Sequence, residues 1–235
     1  MNIILMRPED WLDASTVELR DRRHEHIRKV LKSSVGASLK VGEIGGHRGT
    51  GIITLTSDDA TQMTVTLTQP PASRHPFDIA LALPRPKMLR RVLRTVAEMG
   101  VTHLHLIHSA RVEKSFWQTP LLQPERISEA LQAGLERSGD TLPPQIHLHR
   151  FFKPFIEDIA PDLLQGRQGW IAHQTATQPI SRVAGGALVL LGPEGGFVPY
   201  ELSLAQTAGF SAGHLGGRTL SVDTAVAAAL SQALF

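Results

Sequence analysis

The chain has 235 residues, of which 42% are hydrophobic, with 24 Lys and Arg set against 22 Asp and Glu and no cysteine. That length buries a full core in one large domain or two unequal ones, and a net charge of +2 does not by itself mark a polyanion binder. The lack of cysteine excludes a disulfide framework, a Cys-ligated zinc and a Cys nucleophile; with no signal peptide and no apolar run of about eighteen residues, a soluble cytoplasmic protein with no membrane role is expected.

Residues 1 to about 70 read as a small β-rich module. The segment His24–Leu31 predicts a short helix with Ile27, Val30 and Leu31 as its apolar stripe. Ser38–Ile44, Gly51–Thr56 and Gln62–Leu67 alternate apolar and polar residues at strand period. The intervening Gly45-Gly-His-Arg-Gly-Thr-Gly51 predicts a hairpin loop, either a solvated turn or a phosphate contact.

The proline-rich stretch Gln69–Pro76 is the linker candidate. Beyond it, strands alternate with helices, as in a parallel sheet. Phe77–Leu83 is a strand, Pro86 starts a helix that runs to Met99 and stops at Gly100, and Val101–Ile107 is the next strand. Leu89, Val92, Leu93 and Val96 form that helix's apolar face. Lys87, Arg90, Arg91 and Arg94 form a basic one, which is either solvated or an RNA contact. His103, His105 and His108, and again His147 and His149, invite a metal site, but no carboxylate or third ligand stands at a suitable spacing, so no metal is expected.

A helix over Glu125–Ser138, strands at Gln145–Leu148 and Gly169–Ala172, and a helix over Phe155–Gln165 follow. The apolar run Ala187–Leu191 then stops at Gly192-Pro-Glu-Gly-Gly196, as a buried strand does when it ends in a ligand loop. Gly192, Gly195 and Gly196 are read as positions for positive φ and close ligand approach. A helix begins at Pro199, a strand is expected near Gly213–Leu215, and Leu215-Gly-Gly-Arg-Thr-Leu-Ser-Val-Asp-Thr224 leads into a last helix over Asp223–Phe235. Neither glycine loop is a P-loop or a dinucleotide fingerprint.

Gly192-Pro-Glu-Gly-Gly-Phe197 with Glu201, Leu215-Gly-x-Arg218-x-Leu220 and Asp223-Thr224-Ala225 resemble the RsmE family of ribosomal RNA uridine-N3 methyltransferases, members of the knotted SPOUT superfamily. The resemblance implies an α/β fold with a PUA-like β-barrel RNA-binding domain at 1–70. A SPOUT methyltransferase domain with a C-terminal trefoil knot would then span 75–235. It implies S-adenosylmethionine as the methyl donor, small-subunit ribosomal RNA as the partner, and a homodimer. Carried onto this sequence, the donor would lie against His173, Leu191, Gly192, Pro193, Glu194, Gly195, Gly196, Leu215, Gly216, Leu220, Ser221 and Thr224. Arg218 is the first candidate for stabilising charge on the uracil, Arg7 the second, and Glu194 the candidate base; Glu194 and Asp223 fit structural roles as well. Lys87, Arg90, Arg91 and Arg94 would touch RNA.

The chain departs from the family pattern at Arg137, Asp140, Val198, Gly217 and Ser221, where a further arginine is usual at the last position. Two other functions stay open: a non-catalytic RNA-binding or ribosome-assembly protein on the same fold, or a methyltransferase with another RNA target.

Overall fold

The computed structural model describes residues 1–234, so the end of the last predicted helix, at Phe235, lies outside the described residues. The chain divides into two compact units. One holds Met1–Ser73 together with Gln132–Pro143, and the other holds Arg74–Leu131 and the chain from Pro144 on.

The first unit is a five-stranded sheet of β1 (Ile4–Met6), β2 (Thr16–Leu19), β3 (Ser38–Glu43), β4 (Arg48–Thr56) and β5 (Thr61–Gln69), in the order β1-β3-β4-β5-β2. β1 runs parallel to β3 and the other pairs are antiparallel. Ile4, Met6, Val17, Leu19, Val41, Ile53 and Met63 converge on one core because alternate residues of a strand share a face. β4 starts three residues before its expected position, so Arg48 is a strand residue whose Nε donates to the Pro70 carbonyl, and the turn shrinks to the residues before it. Gly49 permits that pairing: a Cβ there would stand 1.9 Å from the Thr66 carbonyl oxygen.

The 24–31 segment needs correction. Helix α1 covers Arg22–Glu25, and a π-helical turn follows over His26–Leu31. Ile27 is buried, but Val30 and Leu31 are 64% and 42% exposed. Hydrogen bonds that reach five residues along the chain widen the turn and rotate them off the stripe that ordinary helical spacing assigns. Lys32, at φ 51°, then ends the helix in left-handed backbone.

Gln132–Pro143 belongs with this unit for specific reasons. Glu136 takes two hydrogen bonds from Arg22, at 2.5 and 3.0 Å, its carbonyl accepts the Asn2 amide, and Thr141 donates to the Gly46 carbonyl. Buried Asp10 holds buried Arg23 in a two-pronged pair at 2.6 and 2.7 Å. Burial opposes the Arg23 charge, but the bonds to Asp10 and Asp21 outweigh it and raise its pKa. Removing one partner of such a pair costs about 3–5 kcal/mol, whereas an apolar replacement of both costs far less. Asp10→Asn is therefore expected to lower unfolding stability by about that amount, and Asp10→Leu with Arg23→Met to restore most of it, read by urea denaturation of the whole chain.

The second unit is an all-parallel six-stranded sheet in the order β11-β9-β10-β6-β7-β8. Its strands are β6 (Phe77–Ala82), β7 (His103–Ile107), β8 (Gln145–His149), β9 (Gln168–Ala172), β10 (Ala187–Leu191) and β11 (Phe210–Gly213). Every residue of β6 and β10 is buried, which is why β10 reads as a continuous apolar run and β6 does so apart from Asp78, whose carboxylate pairs with Arg167 at 2.7 Å. α2 (Pro86–Glu98) has Pro86 in its first turn and buries Leu89, Val92, Leu93 and Val96. α3 (Pro124–Ser138) starts in this unit and ends in the other.

The predicted 155–165 helix is three shorter pieces: α4 (Phe152–Pro154), a π turn over Phe155–Ile159, and α5 (Ala160–Leu163). α6 (Pro199–Thr207) and α7 (Val222–Ser231) complete the unit. The strand expected near 213–215 lies earlier, because Gly209 at φ 99° ends the chain's turn and extended backbone starts at once. α7 packs against α2 and β10, and its Leu230 carbonyl lies 3.0 Å from His75 Nε2.

The histidines of β7 and β8 pair across the strands: His103 Nδ1 to His147 Nε2 at 3.2 Å, and His105 Nδ1 to His149 Nε2 at 3.1 Å. Among the described residues no group of three or more His, Cys, Asp or Glu is placed to hold a metal ion. Burial, then the neighbouring His147, His149, His103 and Arg167, pushes the His105 pKa down to about 3. Arg167 itself pairs with Asp78, whose charge favours the protonated form of His147. Below the unfolded value of 6.5 the unfolded chain takes up a proton that the folded chain refuses until about pH 3. The stability this neutral ring provides is thus complete above pH 6.5 and lost as the pH falls through that window. His105→Leu should flatten the acid limb of a stability-versus-pH curve measured by chemical denaturation.

Candidate functional site

Three loops leave the carboxyl ends of the adjacent strands β9, β10 and β11 and surround one cavity of about 390 Å³. Ala172–Thr175, Leu191–Phe197 and Leu215–Leu220 supply most of the wall, with Arg111 from beyond β7 and Val222 and Ala225 from α7. Open parallel sheets place ligands at this end, where backbone groups and helix N-termini converge.

Each loop is held from beneath. The 173–186 segment joining β9 to β10 lies along the end of β11: His214 donates its amide to the Gln178 carbonyl at 2.9 Å, and its own carbonyl accepts the Ile180 amide at 3.0 Å. Buried Glu201 ties the β7 and β10 loops together, one oxygen accepting the Ala110 amide at 2.7 Å and the other the Val198 amide at 3.0 Å. Val198 has no side-chain acceptor to cap α6, so Glu201 supplies the capping contact in its place. Ser221 anchors the start of α7, its hydroxyl bonding Asp223 at 2.6 Å and lying 2.9 Å from the Thr224 hydroxyl. That bond first, and Arg91 at 3.2 Å next, hold the Asp223 carboxyl below the usual range.

The glycines serve differently from expectation. Only Gly196 in the first loop has positive φ, at 72°; Gly192 and Gly195 do not. Gly192 is small because Phe197 packs on it, and Gly195 because a Cβ would come within 3.1 Å of the Arg111 side chain. In the second loop Gly216 takes φ 105° with open space where a Cβ would project.

Of the predicted donor-binding residues, His173, Leu191–Gly196, Leu215, Gly216 and Leu220 line the cavity; Ser221 and Thr224 do not, being occupied in the α7 cap. Arg218 lines it, exposed, with no ion pair among the described residues. Glu194 stands at the rim with Arg85 at 3.9 Å. Arg7 belongs to the first unit, where it donates to Gln132 at 3.1 Å and lies 3.9 Å from Glu9. Lys87, Arg90 and Arg91 are exposed on α2; Arg94 is half-buried. Arg111, which donates to the Gly195 carbonyl across the cavity, was missed because nothing in its local sequence announces a contact eighty-four residues away.

The arrangement defines an α/β domain that takes a small molecule at the carboxyl edge of a parallel sheet. Residues 71–234 match the RNA methyltransferase domain family. Over 241 residues the chain is 31% identical to ribosomal RNA small subunit methyltransferase E of Treponema pallidum, covering 100% of this chain and 91% of that protein. It is 25% identical to the enzyme of that name from Synechocystis, covering 97% and 76%. A crystal structure of the Neisseria gonorrhoeae ribosomal RNA small subunit methyltransferase E bound to S-adenosyl methionine shares the fold, with TM-score 0.75, 21% identity, and coverage of 98% and 95%. The chain belongs to the RNA methyltransferase family that contains ribosomal RNA small subunit methyltransferase E.

Proposed function

We propose that the protein transfers the methyl group of S-adenosylmethionine to N3 of a uridine in small-subunit ribosomal RNA. The observation that carries this reading is the cavity built from the β9, β10 and β11 loops, in a chain of this family. Its wall suits the donor: main chain at Leu191–Gly196 and Leu215–Leu220, and apolar surface from Phe197 and Val222. The donor supplies an electrophilic methyl group on a sulfonium. The protein's task is to hold the uracil edge against that methyl and favour loss of the N3 proton. Arg218, on the cavity wall, is the candidate cation for this, stabilising the uracil anion as it forms. Glu194 is the rival as a general base, already engaged by Arg85.

The finer architecture follows from the same reading. The 173–186 segment clasps His214, and the chain then returns to dock α7 on α2 and β10, which supports a SPOUT-type trefoil knot. The five-stranded sheet at the amino end suits a PUA-like RNA-binding domain over about 1–70, with the catalytic domain from about 75 on. Association as a twofold dimer and residence in the cytoplasm complete the proposal; no described helix is long and apolar enough to cross a membrane.

Exposed Lys87, Arg90 and Arg91 form a cationic face on α2, and Arg91 reaches Asp223 at the start of α7. Neutralising Arg90, Arg91 and Arg94 should flatten the salt dependence of RNA binding by about one unit of slope per lost phosphate contact. An unchanged slope would leave that face merely solvated. The reading as a whole is tested by mass spectrometry of ribosomal RNA from cells lacking the protein. One methyluridine should disappear from the small subunit and return with the wild-type gene. An unchanged small-subunit RNA would favour a different RNA target or a non-catalytic role.

A further inference from the structure

Beside the cavity lies a second, apolar groove lined by Ala110, Phe151, Phe152, Pro154, Val198 and Tyr200. Phe151 is 70% exposed and Tyr200 57%, an unusual amount of bare aromatic surface for two neighbours in one groove. Its floor is rigid, because the two Glu201 bonds described above fix Ala110 and Val198 to each other. A pair of packed rings separates it from the cavity: Phe152 of the groove lies 5.6 Å from Phe197, which is part of the cavity wall. Cations border it. Arg111 follows Ala110, Lys153 lines the groove, and Arg150 precedes Phe151 with its guanidinium 4.5 Å over the Trp117 ring. Lys153 also lies 3.6 Å from Glu157.

We propose that Phe151 and Tyr200 form a stacking platform for an unpaired RNA base adjacent to the uridine that enters the cavity. The inference rests on the function proposed above and adds a determinant of substrate positioning to it. A base whose edge is to be methylated must leave its stack, and its neighbour loses a stacking partner in the process. The two exposed aromatics, set off from the cavity by the Phe152–Phe197 pair, replace that partner, and the bordering cations meet the phosphates that link the two nucleotides. Continuity with the cavity and this charge favour RNA over a protein as occupant.

The test uses the whole protein and a single-stranded RNA of about ten nucleotides carrying one uridine, with 2-aminopurine beside it. Stacking quenches 2-aminopurine fluorescence. Wild type should quench it. Phe151→Ala with Tyr200→Ala should abolish the quench and weaken binding about ten- to a hundredfold, with the salt slope and S-adenosylmethionine affinity unchanged. Phe151→Trp and Tyr200→Phe should keep both quench and affinity. Equal quench and affinity in the double alanine variant would overturn the platform while leaving the methyltransferase reading intact. So would a double variant that sediments as a smaller species than wild type, since the aromatics would then belong to a contact between copies. Failure of the wild type to bind the RNA at all would overturn both, and is told apart by appearing before any substitution is made.

Discussion

Arg218→Ala is expected to bind S-adenosylmethionine with wild-type affinity, lose about a hundred- to a thousandfold in kcat, and regain part of the rate as pH rises. The size is that of removing one charge-stabilising donor from an active site. Of the described arginines, Arg111 and Arg218 line the cavity; Arg111 is engaged by the Gly195 carbonyl, and Arg85, outside the lining, lies 3.9 Å from Glu194. Arg218 has no such partner among the described residues and lines the cavity itself. Uridine N3 attacks only once its proton has left, so a nearby cation lowers the cost of that ionisation. Without it, hydroxide in the medium must ionise the base, and the rate climbs with pH. Steady-state methylation at saturating donor, followed across pH, reads both effects. Should Arg218→Ala run at the wild-type rate while Glu194→Gln is inactive yet binds donor, Glu194 is the base and the electrostatic account fails.

Gly216→Val is expected to remove donor binding, by more than about a hundredfold in calorimetry, while the protein still melts cooperatively. A φ of 105° lies outside the range that side-chain-bearing residues tolerate, and a β-branched residue tolerates it least. The loop must therefore rearrange, and it is one of the three that build the cavity wall. Nothing stands within 4 Å of the added Cβ, so the core is untouched. Gly195→Val should do less harm, because Gly195 has no positive φ and the added Cβ meets a side chain, that of Arg111, rather than backbone. Wild-type affinity in Gly216→Val would remove this loop from the donor site.

The parallel sheet was legible wherever one signal dominated. Ala187–Leu191 is read from its apolar run to the residue, and α2 from Pro86 and its apolar spacing to within one residue of its end. β1 and β2 escaped notice because three or four residues are too few to show an alternation. The misread stripe at Val30 and Leu31 has another cause: spacing arguments assume one helical pitch, and a π turn changes it. At the cavity, glycine-rich loops were visible as composition, while Arg111 and Arg85 were not. Their roles come from strand order, which sets distant loops side by side, and no local pattern encodes strand order.

The grouping of Gln132–Pro143 with the amino-terminal sheet also governs the order in which the chain can mature during synthesis. Arg22 has no Glu136, and Gly46 no Thr141, until that segment leaves the ribosome. By then β6, α2 and β7 have already emerged, though their sheet still lacks β8 to β11. The larger unit in turn waits for α7, which returns to the helix made first among its own. The smaller unit can therefore close only once Pro143 has emerged, and the larger only when the polypeptide is nearly complete, so each stays exposed to chaperones and proteases until its late segment arrives.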